Sequence, residues 1–173
     1  IGNTVDPWSV LNTQGADAVR WFFYNNAAPW MPNRFHAKAI DEPTRKYMGT
    51  LWNTYAFFIL YAEIDQFNPK EHPLDKVELT LMDKWILSRL NSLIREVDGD
   101  LNEYKIFEAS RAMTDFVDDL SNWYVRRSRE RFWGKGMAGE KEAAFATLYH
   151  ILETMSRLTA PFTPFMAESM YRN

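Results

Sequence analysis

Apolar residues recur at intervals of three and four along most of the chain, which is the spacing of one face of an α-helix. The clearest such stripe consists of Met82, Ile86, Leu90, Leu93 and Val97. Strict alternation of apolar and polar residues, the pattern of a half-buried strand, does not appear over a comparable length. The pattern therefore predicts an all-α fold.

Capping residues and prolines indicate where the first helices begin and end. Asp6 precedes Pro7, and an acidic N-cap followed by proline at the first helical position is a typical helix start. This short helix should end at Gly15. A second helix is predicted from Ala16 to about Asn26.

The next helical stretch is predicted to begin near Phe35, after an elbow formed by Pro29 and Pro32, and to continue to about Ile64. Pro43 should break or restart it, because proline cannot donate a backbone hydrogen bond and crowds the preceding turn. One stripe of this stretch is apolar and consists of Leu51, Tyr55, Phe58 and Ala62.

After a predicted loop at residues 65–79, a helix should start at Thr80, with Asp83 three residues later as in a capping box. This helix is predicted to end at Gly99. Another helix spans roughly residues 105–132. It is predicted to bury five large side chains, those of Phe107, Met113, Phe116, Leu120 and Trp123.

Two further helices complete the pattern. One covers roughly residues 140–158, and the last starts at Pro164 with Thr163 as its cap. The apolar stripe of the first consists of Phe145, Leu148, Leu152 and Met155. Four substantial amphipathic helices joined by short loops predict a helical bundle, preceded by a short helical connector.

Composition limits the classes of function. Apolar residues make up 46% of the chain and aromatic residues 16%, which is enough to form a packed core. There are no cysteines, which excludes disulfides and thiolate metal sites and fits a cytoplasmic setting. His36, His72 and His150 lie far apart, so no metal site is predicted. The sequence predicts neither a membrane span nor a secretory signal.

Motifs of catalysis are absent from the sequence. It contains no Gly-rich phosphate loop, no G-x-S-x-G, no cysteine nucleophile and no H-E-x-x-H. Carboxylates occur close together at Asp115, Asp118 and Asp119, but on a helix this grouping indicates a solvated face. No catalytic residue or bound cofactor is therefore predicted, and the chain is interpreted as a binding domain.

One segment is strongly basic although the net charge of the chain is −3. Residues 120–135 contain five cationic side chains and a single acidic one, Glu130. Arginine binds phosphates and base edges, and aromatic rings stack on unpaired bases. The candidate RNA-binding residues are Arg126, Arg127, Arg129, Arg131, Lys135, Trp123 and Trp133.

The residues alone leave a second interpretation of this segment open. Arg126 and Arg127 could pair with Glu130, acidic groups on neighbouring helices could bind other arginines, and the tryptophans could fill the core. The tryptophans elsewhere in the chain are predicted to be core residues, because that is the usual role of tryptophan at helical spacing. They are Trp8, Trp21, Trp30, Trp52 and Trp85.

Several ordered segments resemble class I aminoacyl-tRNA synthetases. Residues 1–7 and 15–20 are similar to the stretch that follows the KMSK-type signature loop, although the KMSK residues are absent from this sequence. Residues 83–90 (DKWILSRL) resemble a bundle helix shared by the isoleucine, valine and leucine enzymes, and residues 159–168 (TAPFTPFMAE) resemble their following turn and helix. Residues 122–133 (NWYVRRSRERFW) resemble the isoleucine enzymes, because the valine enzymes usually have fewer arginines there.

The resemblance implies that the chain consists of two parts with different contacts to tRNA. Residues 1–30 would be a connector that contacts the tRNA stem, and residues 31–173 would be a helical anticodon-binding domain. The parent enzyme would activate isoleucine with ATP and Mg²⁺ and transfer it to its tRNA. Its catalytic and editing domains lie outside this sequence, so the chain alone is expected to be inactive. The expected partners are isoleucine tRNA and the remaining domains of the parent, and a monomer is expected.

Two rival interpretations stay open at this point. The nearest is the same domain from a valine or leucine enzyme. The other is a helical protein-interaction module, in which the arginines would bind an acidic partner.

Overall fold

A computed structural model describes residues 5–32 and 35–173, so the part of the resemblance at residues 1–4 lies outside the described residues. Within the described ranges the chain consists of helices joined by turns, and no strand is present. The predicted all-α fold is therefore confirmed. None of the helices in these ranges combines the length and the apolar character needed to cross a membrane.

The α-helices are numbered in chain order. They are α1 (Pro7–Gln14), α2 (Ala16–Asn25), α3 (Asp41–Thr44), α4 (Thr50–Ile64), α5 (Leu81–Asn102), α6 (Ile106–Asp118), α7 (Arg126–Trp133), α8 (Glu140–Thr159) and α9 (Pro164–Arg172). A 3-10 turn at Ala37–Ala39 precedes α3. Two π-helical segments, Arg45–Gly49 and Asp119–Val125, join α3 to α4 and α6 to α7. Residues 41–64 and 106–133 therefore form two continuous helical rods.

The predicted helix starts at Asp6 and Thr80 are confirmed. The Asp6 carboxylate accepts hydrogen bonds from the backbone N–H groups of Trp8 and Ser9 at 3.2 and 3.1 Å. Thr80 and Asp83 form a reciprocal capping box at the start of α5. Both starts satisfy backbone donors that the helix itself leaves unpaired.

Helix bounds differ from the prediction at two places. α5 continues beyond Gly99 to Asn102, because a helical glycine costs only about 1 kcal/mol and Leu101 packs against the core. The stretch predicted to begin near Phe35 has a 3-10 turn before α3 begins. Pro43 lies in the first turn of α3, where its missing N–H group removes no helical hydrogen bond. Pro43 therefore belongs to a helix start.

The main core lies where α4, α5, α6 and α8 pack together. The predicted stripe of α5 is buried from Ile86 to Val97, and Met82 is partly buried at its edge. The predicted stripe of α8 is buried as well. Each large apolar side chain contributes about 1.5 to 3 kcal/mol by leaving water. The predicted helical bundle is therefore held together mainly by this core.

The prediction that the tryptophans fill the core is correct for Trp21. This ring is fully buried and stacks on Tyr47, with the ring centroids 3.7 Å apart. Trp85 is only partly buried. The prediction is wrong for three exposed tryptophans, Trp8, Trp30 and Trp52. Trp30 lies in a turn, where helical spacing does not apply. Trp52 lies on α4, which is apolar on several sides, so the spacing there does not separate inner from outer faces.

The N-terminal helices are attached to the bundle through α2. The Asp17 carboxylate accepts hydrogen bonds from the backbone N–H groups of Phe165 and Met166 at 3.4 and 2.7 Å. Asp17 thus caps α9 in place of the predicted Thr163, whose hydroxyl instead pairs with that of Thr159. The boundary between a connector and a bundle domain stays a prediction.

Candidate nucleic-acid interface

The basic segment lies at the end of the continuous helical rod formed by α6, the π-helical segment and α7. In the π-helical segment the hydrogen bonds run from residue i to i+5, which widens the turn. Tyr124 is fully buried there, whereas Trp123 is 49% exposed. The prediction of Trp123 as a core residue is wrong, because it applies the α-helical period to a π-helical segment.

Three arginines of α7, Arg126, Arg127 and Arg129, are exposed. Their guanidinium groups form no ion pair or hydrogen bond with any other residue in the described ranges. The ion pairs with Glu130 that the alternative interpretation requires are therefore not formed. These three cations are available to a partner that brings negative charge.

Trp123 and Arg127 pack against each other on this face. The Cζ atom of Arg127 lies 4.3 Å from the centroid of the Trp123 ring, which is a cation–π distance. With Asn122 and Arg126 they line a shallow depression of about 500 Å³, called here the basic depression. Guanidinium groups that bind phosphate thus lie beside an aromatic ring on which a base can stack.

Arg131 points into the protein. Its Nη1 and Nη2 atoms donate hydrogen bonds to the two carboxylate oxygens of Asp83 at 2.9 and 2.7 Å. Its Nε and Nη2 atoms also donate to the carbonyl oxygen of Glu140 at 3.0 and 2.8 Å. These contacts join α7 to the first turns of α5 and α8. We therefore revise the predicted role of Arg131, which holds α7 in place and has no free guanidinium to offer RNA.

Asp83, the partner of Arg131, is fully buried. Burial opposes its ionisation, but hydrogen bonds from Arg131, Tyr124 and Thr80 outweigh burial and hold the pKa of the carboxyl below its ordinary value. A carboxyl whose pKa is lower in the folded state stabilises the fold fully above about pH 4. That stabilisation is lost as the pH falls through the folded-state pKa.

Trp133 is the last residue of α7, and Lys135 lies two residues beyond it. Both are exposed, and the Trp133 Nε1 atom donates a hydrogen bond to the Tyr61 hydroxyl at 2.9 Å. The buried Lys141 donates to the Gly134 carbonyl at 2.7 Å and fixes the start of the loop that carries Lys135. The contact with Tyr61 holds the Trp133 side chain against α4.

Sequence reasoning missed Asp83 as the acid that binds the basic segment. The capping box explains only its local contacts with Thr80. A further signal is present, because Asp83 lies three and seven residues before Ile86 and Leu90 and so shares their buried face. A buried carboxylate needs a cationic partner or hydrogen-bond donors, and here Arg131 and Tyr124 supply them from other parts of the chain.

The carboxylates of the helical rod make local contacts. Asp119 pairs with Arg89 at 2.9 Å, and Asp118 accepts a hydrogen bond from the Asn122 amide at 2.6 Å. Asp115 and Asp118 are exposed, which agrees with the predicted solvated face. Within residues 5–32 and 35–173, no three acidic or histidine side chains are grouped as a metal ion would require.

Comparison with known proteins identifies the class to which this fold and surface belong. The family model for the anticodon-binding domain of tRNA ligases matches residues 83–173, which is just over half of the chain. The matched range includes the basic segment and its partner Asp83. The chain therefore belongs to the family of tRNA ligase anticodon-binding domains.

Three similar proteins are all tRNA ligases for the same amino acid, isoleucine. The chain is 55% identical to the isoleucine–tRNA ligase of Clostridium novyi, 52% identical to that of Clostridium tetani and 48% identical to that of Bacteroides fragilis, each over 99% of its length. It spans only 15 to 16% of the length of these relatives. The predicted resemblance to the anticodon-binding domain of the isoleucine enzymes is confirmed.

Proposed function

We propose that this chain binds the anticodon stem and loop of isoleucine tRNA through the exposed face of α7. The observation that carries the proposal is the set of three guanidinium groups, Arg126, Arg127 and Arg129, that no carboxylate neutralises in the described ranges. Such groups bind RNA phosphates and release the counterions condensed on them. Because the net charge of the chain is negative, RNA is attracted to this local group of cations more than to the rest of the surface.

The other candidate residues extend or support this face. Trp123 supplies an aromatic surface, and Trp133 and Lys135 extend the contact toward the loop after α7. Arg131 contributes indirectly, because its ion pair with Asp83 fixes the orientation of α7. The specificity of binding then comes from anticodon bases that leave their stack and are recognised at their edges.

The chain binds tRNA, and we assign the chemical steps of the reaction to other parts of a parent enzyme. In that enzyme, isoleucine is activated with ATP and Mg²⁺ and transferred to tRNA, whereas the chain by itself does not charge tRNA. We assign residues 1–30 to a connector that contacts the tRNA stem and residues 31–173 to the anticodon-binding domain. The parent is proposed to be a cytoplasmic monomer.

The proposal is tested by measuring how tightly the 173-residue chain binds isoleucine tRNA and the same tRNA with a swapped anticodon. Both affinities are measured across a salt series. We expect tighter binding to the correct anticodon, and an affinity that falls as salt rises because phosphate contacts release counterions. Equal, salt-sensitive binding to both tRNAs would contradict recognition of the anticodon and leave only contact with the RNA backbone. Absence of binding at low salt would contradict the proposal.

A further inference from the structure

Trp123 forms the wall between two surface depressions. On one side lies the basic depression. On the other lies a second depression of about 460 Å³, called here the apolar depression, which is lined by Leu81, Met82, Trp85, Asp119 and Trp123. Among the residues that line these two sites, Trp123 alone is shared. A ligand that lies across Trp123 therefore meets two different chemical environments.

The apolar depression exposes large hydrophobic side chains at the start of α5. Leu81 is 84% exposed, and Trp85, one turn further along the helix, is partly buried beside it. The volume is in the range of about 300 to 1,000 Å³ that is typical of small-molecule sites. The combination of an aliphatic side chain and two indole rings suits a flat aromatic group.

We propose that one unpaired nucleotide of the anticodon loop binds across Trp123, with its base in the apolar depression and its phosphate in the basic depression. This inference rests on the proposed function. The two linings fix the orientation, because Arg126 and Arg127 attract the phosphate, whereas the opposite side is mostly apolar and its one carboxylate, Asp119, is already paired with Arg89. Only the uncharged base is then suited to the apolar side.

Arg127 prepares Trp123 for this role. Its guanidinium group lies over the indole ring and belongs to the basic depression only. The contact restricts rotation of the Trp123 side chain before the nucleotide arrives, so less side-chain entropy is lost on binding. The ring is thereby held between an arginine on one side and the site for the base on the other.

Asp119 gives the site a preference among bases. The Nε and Nη2 atoms of Arg89 both contact Oδ2 of Asp119, at 3.0 and 2.9 Å. The Oδ1 atom accepts no hydrogen bond from any residue of the described ranges. An ionised carboxylate can only accept hydrogen bonds, so it favours a base that presents an exocyclic amino group. Uracil also has a ring N–H donor, but that donor lies between two carbonyl oxygens that repel a carboxylate. The proposed occupant is therefore adenine, guanine or cytosine in preference to uracil.

The stacking part of the proposal is tested with Trp123→Leu and with the matched control Trp52→Leu. Both side chains are about half exposed, and Trp52 lies on α4. We expect Trp123→Leu to weaken binding of the isoleucine tRNA anticodon stem-loop roughly tenfold, which is in the range for loss of one stacked base. The salt dependence should be unchanged, since no phosphate contact is removed. Trp52→Leu should bind as the unchanged protein does.

The base preference is tested with stem-loops in which one loop base at a time loses its exocyclic amino group, as in guanosine to inosine or adenosine to purine riboside. At one position this removal should weaken binding to the unchanged protein and to Trp52→Leu. The same removal should have little effect on Asp119→Asn, because a side-chain amide can also donate to a base without the amino group.

The outcomes separate this inference from the proposed function. Salt-sensitive binding that is equal for Trp123→Leu and Trp52→Leu would overturn the nucleotide site and leave tRNA binding intact. Sensitivity to amino-group removal that persists in Asp119→Asn would overturn the assigned base edge. Failure of the unchanged protein to bind the stem-loop at low salt would overturn the proposed function, and the nucleotide site with it.

Discussion

Replacement of Arg131 by alanine is expected to lower the free energy of unfolding by about 3 to 5 kcal/mol. The substitution leaves the fully buried Asp83 carboxylate without its cation, and the low-polarity surroundings cannot replace the lost contact. It also removes two hydrogen bonds to the Glu140 carbonyl at the start of α8. Denaturant unfolding followed by circular dichroism measures the change as a shift in the transition midpoint.

Arg129→Ala is the matched control for this experiment. Arg129 is on the same helix, two residues earlier, but it is exposed and its guanidinium has no partner in the described part of the chain. Its removal should change the free energy of unfolding by no more than about 0.5 kcal/mol. Equal stability of the two variants would show that the ion pair between Arg131 and Asp83 does not hold α7 in place.

Replacement of Arg126, Arg127 and Arg129 together by alanine is expected to weaken tRNA binding strongly without unfolding the bundle. Each phosphate contact contributes about one unit to the slope of log affinity against log salt, so the slope should fall by about 3. Affinity measured at low salt should fall the most, because the electrostatic contribution is largest there. Fluorescence anisotropy of labelled isoleucine tRNA across a salt series measures both quantities.

A charge-matched control distinguishes local contact from net charge. Lys46, Lys76 and Arg95 are exposed on other parts of the surface, and their joint replacement by alanine changes the net charge by the same amount. This control should retain the salt slope of the unchanged protein. Identical slopes for the two triple variants would mean that α7 is not the RNA-binding face. Arg131 is left unchanged in both, because its removal is expected to destabilise the fold.

Local signals in the sequence are enough to predict the fold class and most helix starts. Asp6 and Thr80 act as caps because their side chains reach backbone donors within the next few residues. The start of α9 follows another rule, since its backbone donors are satisfied by Asp17, which is distant in the sequence. A cap supplied by a separate helix depends on tertiary packing and leaves no local pattern to recognise.

The candidate site was predictable in composition but not in the direction of each side chain. A helical period carried through residues 119–125 assigns Trp123 to the core, whereas the wider π-helical turn buries Tyr124 there. The four arginines of α7 look alike in sequence, yet Arg131 alone among them meets a buried carboxylate. That difference depends on where α5 packs, which helical periodicity does not encode.

The most direct test of tRNA binding by α7 is a hydroxyl-radical footprint of isoleucine tRNA. It is recorded with the unchanged chain, with the variant that lacks Arg126, Arg127 and Arg129, and with the charge-matched control. We predict protection of the backbone of the anticodon stem and loop by the unchanged chain and the control, and loss of that protection in the α7 variant. Protection confined to another part of the tRNA, or a footprint that the α7 variant retains, would contradict the assignment.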